Sequence, residues 1–219
     1  DEHSPYNYKL IANRTAIGLW EKFTLVIVDD GGGSTNDDYP AQFLGLGDEW
    51  KLTVPVNTSH EGDPDEWYSP ELDTYTSSYF YMGSGYAVFM CPADGATTSG
   101  SDNPRTELRE MRDGRTEASW STTSSTHTME VELSVNELPS DSDGNRKVCF
   151  AQIHGGGDDL IRAQVRQSGS SYVIYIIGDS VSTTDITSYS LGTKFTWKFV
   201  ASGGKIYSYL NGSLVNTSS

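Results

Sequence analysis

The sequence predicts an all-β protein, an antiparallel β-sandwich of jelly-roll type with a concave substrate groove. Three observations carry this. The 219 residues include Gly 22, Tyr 13 and Trp 5 together with abundant Ser and Thr, which suits many short strands joined by turns. Several segments alternate apolar and polar residues with a period of two, as strands with one buried face do. Long apolar patterns of helical period are scarce, and no run approaches the length of a membrane-spanning helix.

Residues 1–28 read differently from the rest. Trp20 and Glu21 followed by Phe23 and Leu25 resemble the closing part of a repeat in fascin-like or ricin-like β-trefoils. The resemblance implies the tail of a carbohydrate-binding-like module. A plain N-terminal strand that pads the main domain is the alternative. Residues 29–38 hold Gly, Ser, Thr, Asn and Asp with no apolar side chain, a flexible, self-repelling linker. Residues 39–219 then form the main domain.

Within it, Trp50, Leu52 and Val54 share one face of an opening strand, and residues 58–70 read as a polar, Pro-containing loop. Residues 86–91 are apolar on both faces and so central. Residues 128–135 alternate cleanly, with Met129, Val131, Leu133 and Val135 inward. In 147–154, Cys149, Ala151 and Ile153 take the apolar side and leave Phe150, Gln152 and His154 on the other. Strands follow at 160–166, 172–177, 195–200 and 206–210. Asn211-Gly212 is a two-residue hairpin turn, and a returning strand starts at Ser213. One further strand is expected after that hairpin.

The net charge of −15 argues against nucleic acid as a partner and for a highly soluble, secreted, extracellular protein; a monomer that does not bind membranes is the expectation beside it. Four Asn-X-Ser/Thr sequons, beginning at Asn13, Asn57, Asn211 and Asn216, agree weakly with secretion. An anionic ligand would need the basic residues gathered locally. Arg105, Arg109, Arg112 and Arg115 are clustered, as are Arg162 and Arg166. Cys91 and Cys149 permit one disulfide or two buried thiols, with a lean towards thiols.

The chemistry concentrates in two short segments. In residues 103–111 the strand period sends Arg105, Glu107, Arg109 and Met111 to one face. Guanidinium forks match carboxylate geometry, whereas an exposed ladder of ion pairs is the plain alternative. In the second segment Gln152 and His154 share a face. Arg and Gln can neutralise a carboxylate while His exchanges a proton. Together they suit removal of the proton α to a uronate carboxylate, because neutralising that carboxylate stabilises the enolate-like intermediate.

These segments carry a family resemblance. Residues 50–55, the Gly/Thr/Ser loop 92–101, the Arg-Thr-Glu-Leu-Arg run 105–109 and the Gln-Ile-His run 152–154 are similar to those of alginate lyases of polysaccharide lyase family 7. The resemblance covers residue 43 to the end. It implies depolymerisation of an anionic polysaccharide, alginate, by β-elimination on guluronate-containing blocks. No cofactor is expected, and the scattered histidines His3, His60, His127 and His154 indicate no metal. His154, Gln152 and Arg105 would be catalytic. Arg109, Glu107, Arg162 and Arg166 would bind substrate, Glu107 also orienting the arginines. The family's proton-donating tyrosine sits in a Tyr-Phe-Lys-Ala-Gly-x-Tyr-x-Gln motif that this sequence does not contain.

Two other readings compete. A non-catalytic, uronate-binding jelly roll would keep the arginines without turnover. A glycoside hydrolase would need two carboxylates flanking a sugar, and Glu130 and Glu132 are merely the polar side of an amphipathic strand. Trp67, Tyr68 and Trp120 are candidates to stack on sugar rings. Asp158 and Asp159 read as a loop tip beside the cleft.

Overall fold

The computed structural model describes residues 13–14, 21–25, 38–139, 146–155 and 159–219. Almost all of its regular structure is strand. Strands β1 (Asn13–Arg14) and β2 (Glu21–Leu25) precede a one-turn helix, α1 (Pro40–Phe43). Next come β3 (Trp50–Thr53), β4 (Glu66–Tyr68), β5 (Phe80–Gly83), β6 (Tyr86–Cys91), β7 (Glu107–Arg112) and β8 (Thr116–Glu117). The second half holds β9 (His127–Val135), β10 (Lys147–His154), β11 (Asp159–Ser168), β12 (Ser171–Gly178) and β13 (Val181–Tyr189). It closes with β14 (Phe195–Ser202), β15 (Lys205–Leu210) and β16 (Ser213–Ser218).

Every strand pairing is antiparallel. A seven-stranded sheet runs β16-β15-β14-β9-β2-β6-β5. Opposite it lie a five-stranded sheet, β1-β10-β11-β12-β13, and a four-stranded one, β4-β3-β7-β8. All three contribute to one hydrophobic core: Leu52 and Leu108, Val148 and Ile174, Val131 and Trp197. At its centre Phe150 meets Trp197 edge-on, with ring centroids 5.6 Å apart, the geometry aromatic quadrupoles favour. Tyr189, on β13, reaches across to β9: its hydroxyl accepts from the Val135 N–H at 2.9 Å and donates to the Thr193 carbonyl at 2.8 Å.

Most alternating segments form the strands their pattern predicts. Trp50, Leu52 and Val54 are all buried. Asn211 and Gly212 both have positive φ, 48° and 78°, as a two-residue turn between twisted strands requires. Glu130 and Glu132 pair with Lys198 and Lys194, both at 2.6 Å, across the solvent side of the sheet. Cys91 and Cys149 are both buried, and no disulfide joins them.

Three expectations need correction, and a fourth lies mostly outside the described residues. Residues 58–70 are not wholly loop, because β4 forms there and pairs with β3. Arg105 lies just before β7 rather than within a strand. In β10 the register shifts between Cys149 and Ala151, a β-bulge that inserts one residue and reverses the alternation. Phe150 therefore joins the core, while Cys149 pairs with Gln164 on the opposite face. Beyond the bulge the expected faces hold for Ala151, Gln152, Ile153 and His154. Lastly, the trefoil-like segment 1–28 and the linker 29–38 lie mostly outside the described residues. The two stretches that are described belong to the main sheets: β1 pairs with β10, and β2 sits between β6 and β9.

Candidate active site

The β-register sets out the site residue by residue. Lys51 stands directly opposite Arg109, and Thr53 opposite Glu107. On the other side Gln152 pairs with Arg162, and His154 with Asp159. The two half-sheets meet where the Gln152 amide donates to Glu107 Oε2 at 3.2 Å. Arg105 Nη1 approaches the same oxygen at 3.7 Å. Arg105, Glu107 and Gln152, distant in sequence, thus form one cluster.

Glu107 is buried, and burial raises its carboxyl pKa above the ordinary value even though Arg105, Arg109, His154 and Lys51 all pull the other way. A buried anion is tolerated only with partners, and Glu107 has a cation and an amide. Two buried atoms in the cluster, Arg105 Nε and Gln152 Oε1, have no hydrogen-bond partner among the described residues. Folded proteins rarely leave such groups unmet, so each unmet one calls for a reason.

His154 is the exposed member, at the end of β10. Its Nδ1 lies 2.8 Å from Asp159 Oδ1, and Arg162 Nε lies 3.3 Å from Asp159 Oδ2. Burial alone would raise the Asp159 carboxyl pKa. The contact with His154 and the charges of His154, Arg162 and Arg105 outweigh it and hold the group below the usual carboxylate range. An Nδ1–H held by a carboxylate leaves Nε2 with its lone pair, able to accept a proton. Asp159 is therefore not a loop tip but the first residue of β11. Regular pairing continued from Ile153 and Ile161 would set Leu160 opposite His154; a register shift between Ile153 and His154 brings Asp159 there instead, and nothing in the sequence announces it.

Arg109 donates to Glu117 at 2.9 Å, and Lys51 Nζ sits 3.2 Å from the other oxygen of Glu117. Sequence reasoning did not single out Lys51 or Glu117. The alternation of Trp50, Leu52 and Val54 inward already turns Lys51 to the groove. Arg166 pairs with Asp185 at 2.7 Å and covers the Tyr175 ring at 4.7 Å. The Tyr175 hydroxyl donates to Gln164, and burial pushes its pKa up to about 12.

A cavity of about 720 Å³ opens at this face, and its lining includes Arg109, Glu117, Trp120, Gln152 and His154. No tyrosine is among the described residues that line it. Trp67 is sandwiched between His60 and Tyr75 at 3.8 and 3.9 Å, so both of its faces are taken. Trp120 stacks on His127 at 4.1 Å, and the Arg115 guanidinium covers Tyr68 at 4.2 Å. Among the described residues no group of His, Cys, Asp and Glu is arranged to hold a metal ion.

A jelly-roll sandwich whose groove gathers guanidinium, amide and imidazole groups is suited to holding an anionic ligand. The sequence profile of the family described as Alginate lyase matches residues 44–219. A comparison with curated protein sequences returns no match. Among solved structures, the alginate lyase AlgAT5 of polysaccharide lyase family 7 is 44% identical, covering 82% of this chain and 80% of that one, with a TM-score of 0.70. An alginate lyase from Corynebacterium sp. is 43% identical over 82% of this chain and 79% of its own, TM-score 0.71. The marine family 7 alginate lyase AlyA1 from Zobellia galactanivorans is 33% identical over 82% of each chain, TM-score 0.68. The chain belongs to the alginate lyases of polysaccharide lyase family 7.

Proposed function

We propose that this protein depolymerises alginate by β-elimination, acting on guluronate-containing stretches. The observation that carries the reading is the meeting of Arg105, Glu107 and Gln152 beside an exposed His154. A uronate carboxylate entering there finds the guanidinium charge of Arg105 as its partner. Glu107 holds Arg105 and the Gln152 amide in place. Neutralised in this way, the carboxylate accepts the charge that develops when the C5 proton leaves.

His154 Nε2, freed by the contact of Nδ1 with Asp159, takes that proton. The C5–H electron pair becomes the C4=C5 double bond, the C4–O4 bond breaks, and O4 leaves with a proton. No described side chain is assigned as the donor of that last proton. Arg109, Arg162 and Arg166 bind neighbouring uronates along the groove. The related family 7 lyase A1-II′, 27% identical, has been crystallised as a doubly substituted variant in complex with substrate (GGMG), which agrees with an oligo-uronate ligand. The acidic chain and its sequons support a secreted monomer.

The test is an ultraviolet assay for unsaturated uronate ends on alginate, polyguluronate and polymannuronate, with His154→Ala and Arg105→Ala alongside. Rising absorbance with guluronate-containing polymer, lost in both variants, is the expected result. Alginate binding with no absorbance change would instead mark a binding jelly roll, and equal turnover by His154→Ala would remove the histidine from the mechanism.

A further inference from the structure

Lys51 and Arg109 stand directly opposite each other on neighbouring strands and point to the same face. Like charges so placed repel, and here a single carboxylate reconciles them. Glu117 gives one oxygen to Lys51 Nζ at 3.2 Å and the other to Arg109 Nη2 at 2.9 Å. Lys51 is also held by Glu66 at 2.7 Å. The two cations are largely covered, with side chains 12% and 24% exposed, while that of Glu117 is 51% exposed. Glu117 comes from β8, a two-residue strand whose ladder pairs it with β7 only at Met111 and Arg112.

We propose that Lys51 and Arg109 form a carboxylate-binding subsite for one uronate of an acidic polysaccharide, and that Glu117 occupies it until the substrate displaces it. The proposal rests on the polyuronate reading above. Its geometry is that of a carboxylate already bound, one oxygen to each cation. Charge gives the reason for displacement. Lys51 and Arg109 against Glu66 and Glu117 make a neutral set, so a substrate carboxylate added beside Glu117 leaves an excess anion, whereas one that replaces it does not. The cations hold the Glu117 carboxyl below its ordinary range against the effect of burial, so the position favours negative charge. Arg109 and Glu117 line the same cavity as Gln152 and His154, so one oligomer lying in it has both the subsite and the reacting position within the same lining.

A purely structural role for Glu117, pinning two repelling cations, is the rival, and the sign of one measurement separates the two. The experiment is calorimetric titration with a guluronate tetramer and with its carboxyl-reduced, neutral counterpart. It uses a His154→Ala background that blocks turnover and adds Lys51→Met, Lys51→Arg or Glu117→Gln. The expected result is binding weakened about tenfold by Lys51→Met, largely restored by Lys51→Arg, and tightened several-fold by Glu117→Gln. The neutral tetramer should show none of these differences. Thermal melting checks that each variant is folded.

Unchanged binding in Lys51→Met overturns the proposal, and so does weakened binding in Glu117→Gln, the outcome of a structural pin. Absence of tetramer binding in the background protein overturns it as well. If the variants shift binding as expected but the wild-type protein does not cleave alginate, the subsite stands and the lyase reading falls. Cleavage with no shift in binding leaves the lyase reading standing and removes the subsite.

Discussion

Replacing Asp159 with Asn keeps the shape of the side chain and removes one of its two acceptors. In the wild type, Oδ1 faces His154 Nδ1 at 2.8 Å and Oδ2 faces Arg162 Nε at 3.3 Å. Asparagine has one oxygen and one NH₂, so in either orientation an N–H meets another N–H. A charge-assisted hydrogen bond contributes about 1.5–3 kcal/mol net. The fixed charge of Arg162, which forms an ion pair with Oδ2, favours the oxygen on its side, and that turns the amide NH₂ towards the imidazole. His154 would then favour the other tautomer, with Nε2 protonated and unable to act as base. At about 1.4 kcal/mol per factor of ten, kcat should fall about tenfold to 10²-fold with little change in KM. The assays are steady-state formation of unsaturated ends and nitrogen NMR of the His154 ring. There is also a pH signature. The Asp159 carboxyl is held below its unfolded value, so its contribution to stability is present above the ordinary carboxylate range and is lost as pH falls towards the folded value. The stability gap between wild type and variant should therefore close in acid. Turnover within a factor of two of wild type, with His154 still protonated on Nδ1, would refute the reasoning.

Two other outcomes follow from the same structure. The Glu107 carboxyl is raised by burial, so ionising it opposes folding. From the unfolded carboxylate value up towards the folded one, stability should fall as pH rises. Urea midpoints of Glu107→Gln and wild type should diverge in favour of the variant over that window even as activity drops, and a gap that narrows with rising pH counts against the assignment. Tyr189→Phe removes the acceptor for the buried Val135 N–H and should cost about 1–3 kcal/mol of stability by chemical denaturation, with kcat unchanged. A loss of activity without a loss of stability would mean that the tyrosine does something other than join the sheets.

The alternation of large apolar residues made β3, β9, β10 and β14 legible, and runs apolar on both faces did the same for β6 and β12. β13 was not legible: its Ser- and Thr-rich sequence exposes much of both faces, leaving little periodic signal for a strand at a sheet edge. β4 and β8 are only three and two residues long, shorter than a period can reveal. Within the site, Glu107 and Arg109, and Gln152 and His154, were readable because strand parity groups them, whereas Arg105 lies just before β7 and was readable by its place in the Arg-Thr-Glu-Leu-Arg run. Asp159, Lys51 and Glu117 were not singled out, since their roles come from register between strands rather than from spacing along one. The bulge in β10 was equally hidden, because a single inserted residue looks like any other in a one-dimensional pattern.

That extra residue has a genetic consequence. With both Phe150 and Ala151 on the core side, loss of codon 150 would restore strict alternation, leaving Gln152 and His154 still facing the groove. Loss of a codon between 152 and 154 has no such remedy, because whatever follows is turned to the wrong side. The strand therefore has one place where its length can change without reversing its catalytic end. Such a shortened protein would lose the local twist that a bulge imparts and the aromatic contact of Phe150 with Trp197. In a natural or engineered lineage, a chain one residue shorter here would show whether the enzyme depends on which way the pair faces or also on how it is aimed.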